Sequence, residues 1–239
     1  MVNDDATISM TTQEYLETIY NIAMEGDPIV GARLAQHFGV TPPTVTATLQ
    51  RLARDGYITL DRRRGATLTD LGFATAEGVL RRHRLAERFL FEMLGMDWIM
   101  AHEQAHAMEH AMTPEIEERL AATLGDPTTC PHGNPIPGSR LSSREYLREQ
   151  DARRLSALTP SMVVKVLCLS EVVEDETALL RQAGQAGLRP GSVVTVVSLL
   201  DDGVRVSVGA REYDLPSALA SRVWVVASTE DVPVAVPPR

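Results

Sequence analysis

Three histidines and a glutamate share one helix-length stretch, His102-Glu103-Gln104-Ala105-His106-Ala107-Met108-Glu109-His110. At about 100° per residue, Glu109, His102, His106 and His110 fall at about −20°, 0°, 40° and 80° on a helical wheel, so one side of a helix carries all four. Imidazole and carboxylate together form a ligand set for Mn, Fe, Zn, Co or Ni. Half of the chain's six histidines lie in this stretch, which weakens the alternative of a solvated face that is histidine-rich by chance. The stretch also holds a literal H-E-x-x-H, His102-Glu103-x-x-His106. In a zinc metalloprotease the glutamate of that signature is the general base. A protease would further need a third ligand, an open coordination position and a substrate cleft.

The elements around the stretch decide between these chemistries. A chain of 239 residues has room for two or three small domains. Its apolar runs fall far short of the roughly 18 residues needed to span a bilayer. Asp4 and Asp5, with no charged-then-apolar pattern, argue against a secretory signal. Cys130 and Cys168 form neither a metal-finger spacing nor a disulfide framework. The expectation is a cytoplasmic protein with no membrane partner. A net charge of −9 counts against nucleic acid at first. Charge is local, however: between Arg51 and Arg88 nine Arg face five Asp or Glu, a net of +4.

Residues 12–24 place Tyr15, Leu16, Ile19 and Tyr20 at helical spacing, with Thr11 or Thr12 as the expected N-cap. Glu14 and Glu17 lie off that apolar stripe and, on pattern alone, read as a solvated acidic face. A short helix over residues 30–40 ends at Gly39, and Thr41-Pro42-Pro43 starts a second one that Gly56 closes. Leu34, Val45, Leu49 and Leu52 point inward, while Thr41, Thr44, Thr46, Thr48 and Gln50 form a polar outer face. This is the helix-turn-helix pattern, and the polar face is what a major-groove reader presents. Residues 57–72 alternate as two strands around Arg62, Arg63, Arg64 and Gly65, a basic hairpin tip suited to phosphates. A winged helix-turn-helix results. Long helices follow to residue 125, with more apolar surface than a small wing domain covers, so a dimer interface is expected. A Pro- and Gly-rich fixed loop spans residues 127–138. From Val163, short strands with tight turns around one helix indicate a small SH3-like β-barrel.

Taken in order, residues 10 to about 227 resemble the diphtheria toxin repressor (DtxR) family of metal-dependent transcriptional repressors, which includes a manganese-type (MntR) branch. The likeness is carried by Arg82-His83-Arg84-Leu85-Ala86-Glu87-Arg88, by Glu109-His110 preceded by His102, and by Gly133-Asn134-Pro135-Ile136-Pro137-Gly138. The opening Thr11-Thr12, Tyr15-Leu16 and Ile19-Tyr20 match as well. The resemblance implies a primary metal set of Glu14, Glu17, His83, His106, Glu109 and His110. Iron-type members carry a methionine and a cysteine where this chain has Glu14 and His106. Manganese-type members carry acidic residues one turn apart on the first helix, as here, but a glutamate at the position of His106. Losing sulfur favours a harder ion, and adding imidazole pulls back toward Zn, Fe or Co. Manganese is favoured, with Fe(II) or Zn(II) as alternatives.

A second set is implied by Glu87 and His102, with His83 claimed by both sets and Glu176 contributed from the C-terminal domain. Leu179 stands where that set has a glutamine. On the reading helix Thr41, Pro43, Thr44 and Thr46 match, whereas Ala47 replaces a glutamine. Cys130 and His132 read as loop residues, metal contact being the alternative. The expected fold class is mainly α with small β. It comprises a winged helix-turn-helix over residues 1–74, a helical dimerisation and metal-binding domain over 75–140, a linker over 141–160, an SH3-like (FeoA-like) domain over 161–230 and a tail over 231–239. The expected function is that of a homodimeric, metal-activated repressor of metal-uptake genes on a palindromic operator, and not an enzyme. A zinc metalloprotease and a metal-independent winged-helix regulator are its rivals.

Overall fold

The structure, a computed structural model, describes residues 8–61, 65–138, 142–171 and 176–228. It divides into two compact units, Met1–Tyr146 with Glu171–Thr177, and Leu147–Ser170 with Ala178–Arg239.

The first unit opens with α1 (Met10–Met24). Its cap lies earlier than the expected Thr11 or Thr12: Ser9 Oγ accepts the Thr12 N–H at 3.3 Å. Helix α2 (Gly31–His37) and helix α3 (Pro42–Arg54) follow, the latter starting with prolines whose missing N–H groups cost nothing at a helix start. Tyr15, Leu16, Ile19, Leu34, Val45 and Leu52 interlock in one core, which makes α1 the platform of the helix pair. The Tyr15 ring also stacks on Phe38 at 4.0 Å and 8°. Strands β1 (Ile58–Asp61) and β2 (Gly65–Leu68) pair antiparallel with Ile58 opposite Leu68 and Asp61 opposite Gly65. Arg62, Arg63 and Arg64, the expected wing tip, lie outside the described residues.

Thr69 caps α4 (Asp70–Glu92) by accepting the Gly72 N–H at 3.1 Å. A side chain at Gly72 is impossible, because its Cβ would stand 1.9 Å from the Tyr57 carbonyl oxygen. Asp97 caps α5 (Trp98–Glu109) through the N–H groups of Ile99 and Met100. Helix α6 (Pro114–Thr123) and a short α7 (Ser143–Glu149) complete the unit. Between α4 and α5 the fully buried apolar residues include Ala86, Ala101 and Ala105, beside Leu90. Small side chains at the contact bring two helices toward the near end of the usual 8–10 Å separation. That closeness brings side chains of α4 against those of α5.

The second unit contains β3 (Arg153–Arg154), β4 (Val163–Leu169), most of α8 (Glu176–Gln185), β5 (Val193–Leu200), β6 (Gly203–Val208), β7 (Arg211–Pro216), a one-turn α9 (Ser217–Ala220) and β8 (Val223–Ala227). The six strands form one antiparallel sheet in the order β3-β8-β4-β5-β6-β7. Val194, Val196, Val204, Val206, Val223 and Val225 alternate into its buried face. Register shifts at Val166/Cys168 and Val196/Ser198 bend the strands. The expected SH3-like β domain is thus a bent six-stranded sheet, and the described pairings do not close it into a barrel.

Candidate metal centre

Helix α4 presents His83 and Glu87 one turn apart, and α5 presents His102, His106 and Glu109 toward them. Helix α5 ends at Glu109, so His110 caps it instead of riding on its last turn. His83 lies at the middle of the cluster. Its Nδ1 donates to Glu109 Oε2 at 2.5 Å, and its Nε2 lies 3.2 Å from Glu87 Oε1. Carboxylates only accept, so both ring nitrogens carry protons and the ring is an imidazolium. His102 Nδ1 donates to Glu87 Oε1 at 2.7 Å, and His132 Nδ1 approaches the same oxygen at 3.1 Å. The other carboxylate has its own ring of imidazoles: His110 Nε2 and His106 Nδ1 stand 3.2 and 3.7 Å from Glu109 Oε1.

The ionisation of these groups follows from that contact pattern. Burial alone would depress His83, but the carboxylates of Glu87 and Glu109 hold its pKa well above the ordinary value. Burial would raise Glu87, yet His132 and His83 hold it well below the carboxylate range. Glu109 is likewise pushed down to about 2, the imidazoles of His106 and His83 outweighing burial. Burial, then Glu87 and Glu171, push the Cys130 thiol well above its usual value, which keeps it protonated.

Of the buried side-chain atoms without a hydrogen-bond partner among the described residues, three belong to this cluster: Glu87 Oε2, Glu109 Oε1 and His132 Nε2. Each such orphan costs about 1–3 kcal/mol. All three are metal-donor atoms, and the rings around them are already oriented by carboxylates, as metal-binding histidines are. The residues therefore fit a divalent cation. One ligand atom each from Glu17, His83 and Glu109 lies within 4.8 Å of the other two, and the same holds for His83, His102 and His106, for Glu87, His102 and His132, and for Glu87, Cys130 and Glu171. A cavity of about 370 Å³ has Glu14 and Glu17 on one wall and His83, His102 and His106 on another.

These positions bear on each expected residue. Glu14 is half-buried at the cavity, whereas Glu17 is only 9% exposed and is not the solvated group its place off the apolar stripe suggested. The apolar pattern of α1 marks its packing against α2 and α3, and the wall formed by α4 and α5 covers Glu17 from a second side. His106 is 48% exposed at the rim. The side chain of Glu176 lies outside the described residues. Thr41, Pro43, Thr44 and Thr46 are all exposed on the outer face of α3, with Thr41 Oγ1 2.9 Å from Thr44 Oγ1.

Cys130 and His132, read as loop residues, are buried and face Glu87. Their loop is a tight turn in which Cys130 N–H reaches Asn134 O at 2.8 Å and Gly133 N–H reaches Cys130 O at 3.0 Å. Gly133 sits at φ 86, a conformation that favours glycine. Glu171 was also missed, and Arg84 and Asn134, named only as carriers of the resemblance, prove to be its partners. Arg84 is fully buried, bonded at 2.6 Å to both Glu171 Oε2 and the Pro135 carbonyl, and Asn134 Nδ2 donates to Glu171 Oε1 at 2.8 Å. The signal available was the fixed Pro/Gly loop itself.

A cation must displace the His83 proton, so metal uptake releases protons. Because the folded-state pKa of His83 is raised above 6.5, apparent affinity will go on rising above that pH, where an ordinary histidine would have levelled off. Calorimetry of Mn(II) binding in buffers of differing ionisation enthalpy between about pH 6 and 8.5 checks this, and a flat affinity with no proton release contradicts it.

The protease pattern finds no support in this geometry. Glu103 is exposed and does not line the cavity, so the residue required as general base is on the wrong face. Among the described residues no helix is long and apolar enough to cross a membrane.

Comparison with known proteins assigns three segments. Residues 7–66 match the iron dependent repressor N-terminal DNA binding domain, residues 69–138 its metal binding and dimerisation domain, and residues 153–227 the FeoA domain. The chain is 35% identical over 231 residues to the diphtheria toxin repressor of Corynebacterium jeikeium, covering 90% of this chain and 96% of that one. It is 37% identical over 221 residues to the iron-dependent repressor IdeR of Mycobacterium bovis, with the same coverage. A manganese-dependent transcriptional repressor in complex with manganese superposes with a TM-score of 0.76 at 30% identity, covering 91% of this chain and all of that one. With the three domain types in this order, and relatives matched along nearly their whole length, the chain belongs to the iron-dependent repressor family, that of the diphtheria toxin repressor.

Proposed function

We propose that the chain is a metal-activated, homodimeric, DNA-binding transcriptional repressor of metal-uptake genes, acting in the cytoplasm on a palindromic operator, with Mn(II) its favoured ion and Fe(II) or Zn(II) the alternatives. It is not an enzyme. Residues 1–74 bind DNA, 75–140 dimerise and bind metal, 141–160 link, 161–230 form the SH3-like domain and 231–239 the tail. The primary set is Glu14, Glu17, His83, His106, Glu109 and His110. Glu87 and His102 form the second set. His132 Nε2 supplies the further donor that Leu179 cannot, with Glu176 as a carboxylate from the C-terminal part.

One observation carries the reading: Glu17 of α1 lies within ligand reach of His83 on α4 and Glu109 on α5. Since α1 shares its core with the reading helix α3, whatever draws Glu17 toward His83 and Glu109 fixes the reading head. A bound divalent cation supplies the positive charge that Glu14, Glu17 and Glu109 can share and that their mutual repulsion otherwise opposes. Oxygen-rich sets favour Mn(II), and imidazole donors leave the borderline ions in contention. Reading heads fixed at one spacing meet successive major grooves, with Thr41, Pro43, Thr44 and Thr46 toward base edges and Arg62, Arg63 and Arg64 toward phosphates. Exposed Met93, Leu94, Met100 and Ile116 supply apolar surface for the dimer.

The double variant Glu14→Ala/Glu17→Ala should bind DNA no better with Mn(II) than without it. Glu14→Ala alone should leave metal-free stability within about 0.5 kcal/mol, as half-exposed positions do. Metal activation that survives the double substitution would remove α1 from the metal set and overturn the reading.

A further inference from the structure

We infer that His37, the last residue of α2, is a positioning residue that grips α1 through Thr18 and passes the setting of α1 to the reading helix α3. The inference rests on the metal-dependent reading above and concerns how the signal reaches the reading head.

The grip starts beside the two acidic residues of α1. Thr18 follows Glu17 directly and stands one turn beyond Glu14, whose carbonyl oxygen accepts the Thr18 hydroxyl proton at 2.9 Å. A hydroxyl has one proton to give, and this one is spent. In the 3.2 Å contact between Thr18 Oγ1 and His37 Nε2 the histidine is therefore the donor, which places a ring proton on Nε2. Thr18 and His37 both line the cavity that holds Glu14 and Glu17. Among the described residues, none of the donor groups within ligand reach of one another includes His37. Its part is to position the ligand helix.

A second hold lies one residue on. Phe38, the C-cap of α2, stacks on Tyr15 at 4.0 Å and 8°, and the His37 ring meets the Phe38 ring edge-on at 4.6 Å and 84°. Tyr15 and Thr18 are three residues apart on α1 and so share a face of that helix. Tyr15 in turn shares a hydrogen bond with the Thr48 side chain on α3. The end of α2 thus holds α1 at two points, one polar and one aromatic.

Its place in the chain gives the grip its effect. Phe38 leads into Gly39 at φ 61 and then Thr41, the N-cap of α3. These turn residues aim α3, so a shift imposed on His37 and Phe38 reaches the start of the reading helix. The shared apolar core joins the same helices, yet apolar burial is non-directional and tolerates a small roll of α1 about its own axis. A hydrogen bond weakens steeply when misaligned. A cation that draws Glu17 toward His83 and Glu109 sets the roll of α1, and His37 makes α2 follow.

A linkage cycle on the full-length protein tests the grip. Mn(II) affinity is measured with and without a duplex selected on the Mn(II)-loaded protein, and duplex affinity with and without Mn(II). Both routes give one coupling factor. His37→Leu should lower that factor by roughly 2- to 30-fold while the Mn(II) affinity of the DNA-free protein stays unchanged. Thr18→Val, close in shape but without the hydroxyl, should lower it equally, and the double variant should lower it no further. His37→Gln, which keeps an N–H donor at similar reach, should restore most of the coupling. An unchanged factor in His37→Leu overturns the grip, as do a loss of Mn(II) affinity in that variant without DNA, additive single losses, or a glutamine no better than leucine. Nitrogen-15 NMR of the wild type in mildly alkaline solution gives a readout that needs neither metal nor DNA. The His37 proton should be on Nε2, and a proton on Nδ1 alone overturns the grip. If wild-type duplex affinity ignores Mn(II), the repressor reading fails and the ring tautomer decides the grip by itself.

Discussion

Replacing Glu109 by alanine will destabilise the metal-free protein by about 3–5 kcal/mol, the cost of removing one partner of a buried ion pair, and will end activation of DNA binding by Mn(II). Glu109 is fully buried and accepts a hydrogen bond from Nδ1 of His83 at 2.5 Å. Its loss leaves Glu87 as the carboxylate bonded to the imidazolium of His83 among the described residues. Domain stabilities are typically about 5–15 kcal/mol, so the loss is a large fraction of the total. The pH dependence has a definite sign. A carboxylate whose folded pKa lies below its unfolded value contributes stability above the unfolded value and loses it as pH falls through the folded one. For Glu109 those values are 4.5 and about 2. Urea unfolding of wild type and variant should therefore differ most near neutrality, and the difference should shrink as pH falls from about 4.5 toward about 2. A difference under about 1 kcal/mol at neutral pH would mean that the pair is not a stabilising element of the metal-free fold.

Arg84→Ala should cost about 3–5 kcal/mol for the same physical reason, here through an orphaned Glu171. The Arg84 guanidinium is fully buried, and although burial works against its charge, Glu171 holds its pKa above the ordinary value. Nη1 also ties down the Pro135 carbonyl at 2.6 Å. That bond anchors the turn that presses His132 against Glu87, so the substitution should loosen the second metal set as well as the fold. Arg84→Met with Glu171→Leu should recover most of the stability, since apolar pairs of similar volume often replace buried ion pairs without loss. Denaturant melts of the single and double variants check both statements, and a harmless Arg84→Ala would contradict the first.

The helices and the wing were legible because their signals are local. Capping residues, prolines at a helix start and period-3.6 apolar spacing located α1 to α6, and alternation around a basic tip located β1 and β2. The histidine stretch was legible for the same reason, since helix geometry alone places His102, His106 and Glu109 together. What escaped depends on long-range packing. Glu17 sits off the stripe that packs α1 on its neighbours, and only the close approach of α4 and α5 covers it. His132 and Glu87 meet across residues that nothing in their spacing connects. Nothing in the spacing of Arg81-Arg82-His83-Arg84 marks its partners: Arg81 binds Glu117 and the Pro137 carbonyl, Arg82 donates to the Glu109 carbonyl, and Arg84 is entirely buried. Barrel closure was likewise beyond alternation, which marks strands but not the partner of an edge strand.

On the proposed function, metal switches on DNA binding by tying α1 to α4 and α5. The most direct test is fluorescence anisotropy on a duplex selected from a randomised pool with the Mn(II)-loaded protein, read first in Mn(II) and then in excess chelator at constant salt. Affinity should fall in chelator by roughly 10³-fold or more, to the level of non-specific binding. Equal affinity for that duplex with and without chelator would contradict the account.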